Sequence, residues 1–119
     1  MTHVIESRLR SGAPNATALE RLGLEVLRAQ GVPEPVLEYP APWADDERID
    51  AAYPPQLMGI EWDSKTWHSA RERFENDRRR DRLAALAGWT VLRYTWADLT
   101  QRPTEVGEQV RALLAARSR

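Results

Sequence analysis

Three acidic residues fall where a folding chain rarely tolerates them. Asp50 sits in Arg48-Ile49-Asp50-Ala51-Ala52-Tyr53, and Glu61 and Asp63 sit in Leu57-Met58-Gly59-Ile60-Glu61-Trp62-Asp63; both stretches are apolar and strand-like. Carboxylates are costly in a sheet that packs a core unless a partner compensates them. A spacing of two puts Glu61 and Asp63 on one strand face and Ile60 and Trp62 on the other. A hairpin about Pro54-Pro55-Gln56 brings Asp50 opposite Glu61, at a cross-strand separation of about 5 Å. One hard cation could then take oxygen from both. The expected metal ligands are Asp50, Glu61 and Asp63. His68 follows closely, and its neutral imidazole could orient a water or take its proton.

Composition narrows the metal. The chain has no cysteine and only two histidines, His3 and His68. Disulfides, thiol catalysis and cysteine zinc sites are excluded, and oxygen ligands favour magnesium, manganese or calcium. The net charge of −1 argues against a globally basic coat for nucleic acid. The charge is nevertheless segregated. Asp45, Asp46, Glu47 and Asp50 form an acidic cluster, and Arg71, Arg73, Arg78, Arg79, Arg80 and Arg82 crowd the next helix. Arginine suits bidentate contact with phosphate.

The elements that must position these residues follow from periodicity. A length of 119 residues allows one domain. Residues 1–14 read as a loose N-terminus, and 15–119 as the domain. Leu19, Leu22, Val26 and Leu27 recur at helical spacing, with Asn15 or Thr17 as N-cap and Gly31-Val32-Pro33 as the stop. Val36-Leu37-Glu38-Tyr39 is a short strand, and the two carboxylate-bearing strands follow. A helix is expected from Ser69 or Ala70 to Ala87, with Phe74, Leu83, Leu86 and Ala87 on its apolar side. Trp89–Trp96 reads as a strand, 97–100 as a turn, and Pro103 opens a last helix that buries Val106, Val110, Leu113 and Leu114. A helix between the third and fourth strands permits a parallel crossover. The expected class is α/β, a mixed sheet of about four strands flanked by helices. No apolar run reaches the roughly 18 residues of a membrane span. The start of the chain lacks a signal-peptide core, which makes the cytoplasm the default.

Arg48-Ile49-Asp50, Gly59-Ile60-Glu61-Trp62-Asp63, His68-Ser69, Phe74 to Asp81, Leu83, Gly88 to Arg93 and Thr95-Trp96 occur in an order and spacing that resembles a known bacterial family. These are small domains related to the very-short-patch-repair (Vsr) endonucleases, within the PD-(D/E)XK restriction-endonuclease-like superfamily. The likeness covers roughly residues 17–114. It implies a restriction-endonuclease-like core, DNA as partner, and divalent-metal-dependent cleavage of DNA phosphodiesters with Mg2+ or Mn2+. It also implies that Asp50 and Glu61 hold the metal, and Glu20 fits a first-helix glutamate of the superfamily. Domains of this family often follow an N-terminal winged-helix segment, a further partner if the chain is a fragment.

Two positions depart from the pattern. Asp63 stands where the superfamily motif has lysine, as it does in the Vsr-like branch, and Ser64 stands where glycine usually follows. Lys65, the only lysine, could reach in from a nearby loop. Among the arginines, Arg71, Arg78, Arg79, Arg80 and Arg93 are the candidates for nucleic-acid contact, with Arg80 or Arg93 placed to offset charge on a phosphate, and the resemblance also implies that Asp77 or Arg80 faces the site, to brace it or to touch it. Each signal has a plainer counterpart: a solvated strand face for the carboxylates, intrahelical ion pairs for the arginines. The alternatives to an endonuclease are a DNA-binding or regulatory module of the same fold without catalysis, and a protein-interaction domain.

Overall fold

The computed structural model describes residues 16–63 and 70–118. The expected loose segment 1–14 lies outside the described residues, as do Asn15, Ser64, Lys65 and His68. The elements run α1 (Ala16–Ala29), β1 (Val36–Pro40), β2 (Arg48–Tyr53), a 3-10 turn (Pro54–Gln56), β3 (Met58–Trp62), α2 (Ala70–Leu86), β4 (Thr90–Tyr94), α3 (Trp96–Gln101) and α4 (Pro103–Arg117). The sheet order is β1-β2-β3-β4, antiparallel from β1 to β3 and parallel between β3 and β4. This is the expected mixed α/β class. The helix between the parallel strands is α2, which supplies the crossover that parallel pairing requires.

Each face of the sheet has its own core. Leu19, Val26 and Leu27 of α1, Leu99 of α3, and Val106 and Val110 of α4 pack on Ala51, Tyr53, Ile60, Trp62 and Tyr94. On the other face Ile49, Ala52, Ala84 and Trp89 are buried, with Tyr39, Trp43 and Val91 packed around them. Burial from both sides explains why β3 is buried at every position. The approach of α1 depends on Gly23, because a Cβ there would lie 2.5–2.6 Å from the indole of Trp62.

The turns follow local chemistry. Leu57 takes a left-handed conformation (φ 52°) after the two prolines, and its N–H donates to the Pro54 carbonyl. Gly88 (φ 81°) lets the chain leave α2 for β4. The Arg117 guanidinium donates to the carbonyls of Gln56, Leu57 and Gly88 and to the Thr90 hydroxyl, fastening α4 to both connections.

Two expectations are corrected. The strand expected over Trp89–Trp96 ends at Tyr94, and the expected turn is helical. Thr95 caps α3 by accepting from the Asp98 N–H, while the Asp98 carboxylate accepts from the Thr95 N–H. This reciprocal cap overrides the strand preference of the aromatic run. The face of α2 is also different. Phe74 and Leu86 are 62% and 86% exposed, whereas Arg80 and Ala84 are buried. The helix meets the sheet through a charged face, for reasons that lie in the site.

Gly23→Ala tests the α1 contact. Helix propensity alone favours alanine by about 1 kcal/mol. Overpacking against Trp62 is expected to outweigh it, with net destabilisation of about 1–2 kcal/mol in urea unfolding. A stabilised variant would refute this packing.

Candidate functional site: a carboxylate pair seated between two strands

The β2–β3 ladder pairs Tyr53 with Met58, Ala52 with Gly59 and Ala51 with Ile60, and continuing that register sets Asp50 against Glu61. There the side chains enter the ladder. The Asp50 N–H donates to Glu61 Oε2 at 3.0 Å, and the Trp62 N–H donates to Asp50 Oδ2 at 2.8 Å. Each carboxylate is thus seated on a main-chain N–H of the opposite strand.

The pleat also breaks here. Ala51 and Tyr53 enter one core, and regular alternation would send Ile49 with them. Ile49 instead joins Ala52 in the other core and fills the space over Gly59, where a Cβ would lie 2.7 Å from its Cγ2. The β1–β2 pairing holds at Leu37↔Ala51 and Tyr39↔Ile49 and skips Glu38 and Asp50 between them. Glu38 has φ 51°. The irregularity therefore runs across the sheet through Glu38, Asp50 and Glu61.

Electrostatics follow from this crowding. The pKa of Asp50 is pushed up to about 6, first by burial and then by the charges of Glu61, Glu38 and Glu20; the Trp62 N–H opposes the rise. Glu20, expected from sequence, contributes to this field from α1. Glu38 was not anticipated. Its signal was available, because it is an acidic residue inside the apolar strand Val36-Leu37-Glu38-Tyr39, as Asp50 is in β2.

The expected trio of ligands is not assembled. Asp50 and Glu61 come together, while Asp63 forms an ion pair with Arg73 of α2. Among the described residues no group of three or more acidic or histidine side chains is arranged to hold a metal ion. Two carboxylates nevertheless fit a magnesium-type ion, which binds through one or two of them and keeps water and phosphate oxygens elsewhere. The like-charge strain on Asp50 is what a divalent cation would relieve.

The arginines divide into two sets. Arg80 lies on the sheet side of α2 against Glu61, away from the exposed surface where nucleic-acid contact was also expected: it is 8% exposed and its Nη1 lies 2.9 Å from Glu61 Oε1. Arg93, beside Glu61 on β4, is half-buried and pairs with Asp77 at 3.8 Å and Asp81 at 3.1 Å. These pairs explain why α2 meets the sheet with a charged face. Arg71, Arg78 and Arg79 are on the exposed side; Arg71 pairs with Glu75, and Arg78 pairs with Asp81 and lies over the Phe74 ring.

Comparison with known proteins adds no activity. No family profile and no solved structure matches the chain. Two relatives do, the uncharacterized proteins Rv2248 of Mycobacterium tuberculosis strain ATCC 25618 / H37Rv and MT2308 of strain CDC 1551 / Oshkosh. Each is 26% identical over 96 residues, covering 79% of this chain and 35% of the relative. The chain thus spans little more than a third of their length.

The Asp50 shift sets a pH dependence. Between about pH 4 and pH 6 the folded protein keeps a proton that unfolded Asp50 has released, so stability falls as pH rises through that window and levels off above it. Asp50→Asn keeps an acceptor for the Trp62 N–H and removes the charge. It is expected to be the more stable protein at pH 8, by about 1–2 kcal/mol after solvent screening. Its advantage should vanish by about pH 4. Parallel stability–pH curves for the two proteins would contradict the assignment.

Proposed function

We propose that this domain is a divalent-metal-dependent endonuclease that hydrolyses DNA phosphodiester bonds. The observation that carries the reading is the reciprocal seating of Asp50 and Glu61, which holds two carboxylates together within a sheet, where the charge of Glu61 helps push the pKa of Asp50 up. The element order supports the same reading: helix, three antiparallel strands, crossover helix and parallel strand, with the acids on the second and third strands. This is the arrangement implied by the Vsr-like resemblance.

Asp50 and Glu61 would hold Mg2+ or Mn2+. The ion, when bound, supplies Lewis acidity toward a phosphoryl oxygen and a more acidic water. Asp50 must be deprotonated to bind it, and Glu20 and Glu38 add to the field that attracts it. Glu61 is kept in one orientation by the Asp50 N–H and Arg80. The exposed arginines of α2, Arg71, Arg78, Arg79 and Arg82, offer contacts to a phosphate backbone. His68 keeps the role of orienting or deprotonating a water that its place in the sequence suggests.

A second reading is a DNA-binding or regulatory module without catalysis. It is favoured by Asp63, which stands at the superfamily's lysine position and is occupied by Arg73. The discriminating assay is nicking of supercoiled plasmid with Mg2+ or Mn2+. Glu61→Ala should abolish nicking by the wild type, a loss of more than about a hundredfold. Nicking that survives in Glu61→Ala, or is absent from the wild type on plasmid, mismatched and branched DNA alike, would defeat the nuclease reading.

A further inference from the structure

Arginine is seldom buried, yet Arg80 is only 8% exposed, and it reaches the carboxylate most enclosed in the site. Glu61 is 6% exposed and held at both oxygens: Oε2 by the Asp50 N–H on β2, and Oε1 by Arg80 on α2. Arg80 is itself backed. Its Nε is buried without a hydrogen-bond acceptor among the described residues, and Glu47 Oε2 lies 3.6 Å from it. Glu47 in turn accepts from Trp43 Nε1 at 3.0 Å, and Trp43 stands edge-on to Trp89 in the second core. A chain of contacts therefore runs from that core through Glu47 and Arg80 to Glu61.

We infer that Arg80, backed by Glu47, is a positioning residue that determines which divalent cation the Asp50–Glu61 pair accepts. The inference rests on the metal-binding reading above and deepens it. Calcium takes six to eight oxygens in loose geometry and commonly turns a glutamate bidentate. Magnesium and manganese accept single carboxylate oxygens, in the stricter octahedral geometry that magnesium demands. A glutamate free to rotate can serve either class. Glu61 Oε2 accepts from the Asp50 N–H on β2 and Oε1 is ion-paired with Arg80 on α2, so turning both oxygens toward one ion works against the Asp50 bond and the Arg80 pair. The brace therefore disfavours calcium.

Ion selectivity is the readout that separates positioning from charge. Removing Arg80 changes the local field, but Mn2+ and Ca2+ carry the same charge, so the field change cancels in the ratio of their affinities. Calorimetric Kd values for both ions would be measured for the wild type, Arg80→Met, Arg80→Lys and Glu47→Gln, with Asp50→Asn as a non-binding control and thermal unfolding without metal as the check on folding. The wild type is expected to prefer Mn2+, and Arg80→Met to narrow that preference about tenfold, the scale on which residues behind a metal ligand act. Arg80→Lys should restore part of it, and Glu47→Gln should narrow it with Arg80 intact. Glu47→Gln carries the test if Arg80→Met fails to fold, since leaving Glu61 buried and unpaired is destabilising. A wild type that binds Mn2+ with a preference unchanged in Glu47→Gln and in the folded Arg80 variants would overturn this inference alone. A wild type that binds neither ion would overturn the metal-binding reading together with it.

Discussion

The structure turns on two hydrogen bonds, from the Asp50 N–H to Glu61 and from the Trp62 N–H to Asp50. A sheet normally answers its main-chain donors with main-chain carbonyls. Here two of them are answered by carboxylates from the facing strand, so the acids become part of the ladder. Much else is arranged around that substitution. The pleat breaks at Asp50, Ile49 crosses to the other core, and Glu38 opposite takes a left-handed backbone conformation. Regular pairing resumes at once toward Ala51 on one side and Ile49 on the other. The defect is local, and it is enclosed by packed layers on both faces.

The second constraint is the charged face of α2. Arg73 pairs with Asp63 and Arg80 with Glu61, joining the helix to β3 and the residue that follows it, while Asp77 and Asp81 receive Arg93 from β4. Pairs of this kind contribute less to stability than an apolar stripe would, because desolvation offsets most of their attraction. They do fix orientation, since each guanidinium must meet its own carboxylate. The helix is consequently registered against β3 and β4 by side chains that also border the carboxylate pair. Apolar contact is left to Ala84 and its neighbours near Trp89.

Much of this was legible in the sequence. The hairpin that opposes Asp50 to Glu61 followed from strand periodicity and two prolines, and the parallel fourth strand followed from the intervening helix. The amphipathic stripes of α1 and α4 were plain. What hydrophobicity misread was the face of α2, although the resemblance turned Asp77 or Arg80 toward the site. Phe74 and Leu86 suggested a buried side by hydrophobicity, but the helix buries Arg80 because carboxylates wait for it on the sheet. Periodicity identifies a stripe by its own residues and has no access to the charges opposite. The α3 cap was missed for a related reason: Thr95 and Asp98 answer each other over three residues, a short-range exchange hidden by the aromatic run around it. The separation of Asp63 from the pair arose in the same way, through Arg73.

The clasp made by Arg117 bears on the order in which the molecule assembles. Its partners Gln56, Leu57 and Gly88 lie 61, 60 and 29 residues earlier in the chain. The antiparallel hairpins can form as soon as they emerge from the ribosome, since their partners are neighbours. Parallel pairing of β4 with β3 has to wait for α2, and such non-local closure is the slow part of folding. Arg117 joins the turn before β3 to the entrance of β4, so it can close only after both are in place. The clasp favours the completed sheet over its hairpin precursor, and it acts late, as a lock on the finished topology and not as a guide toward it.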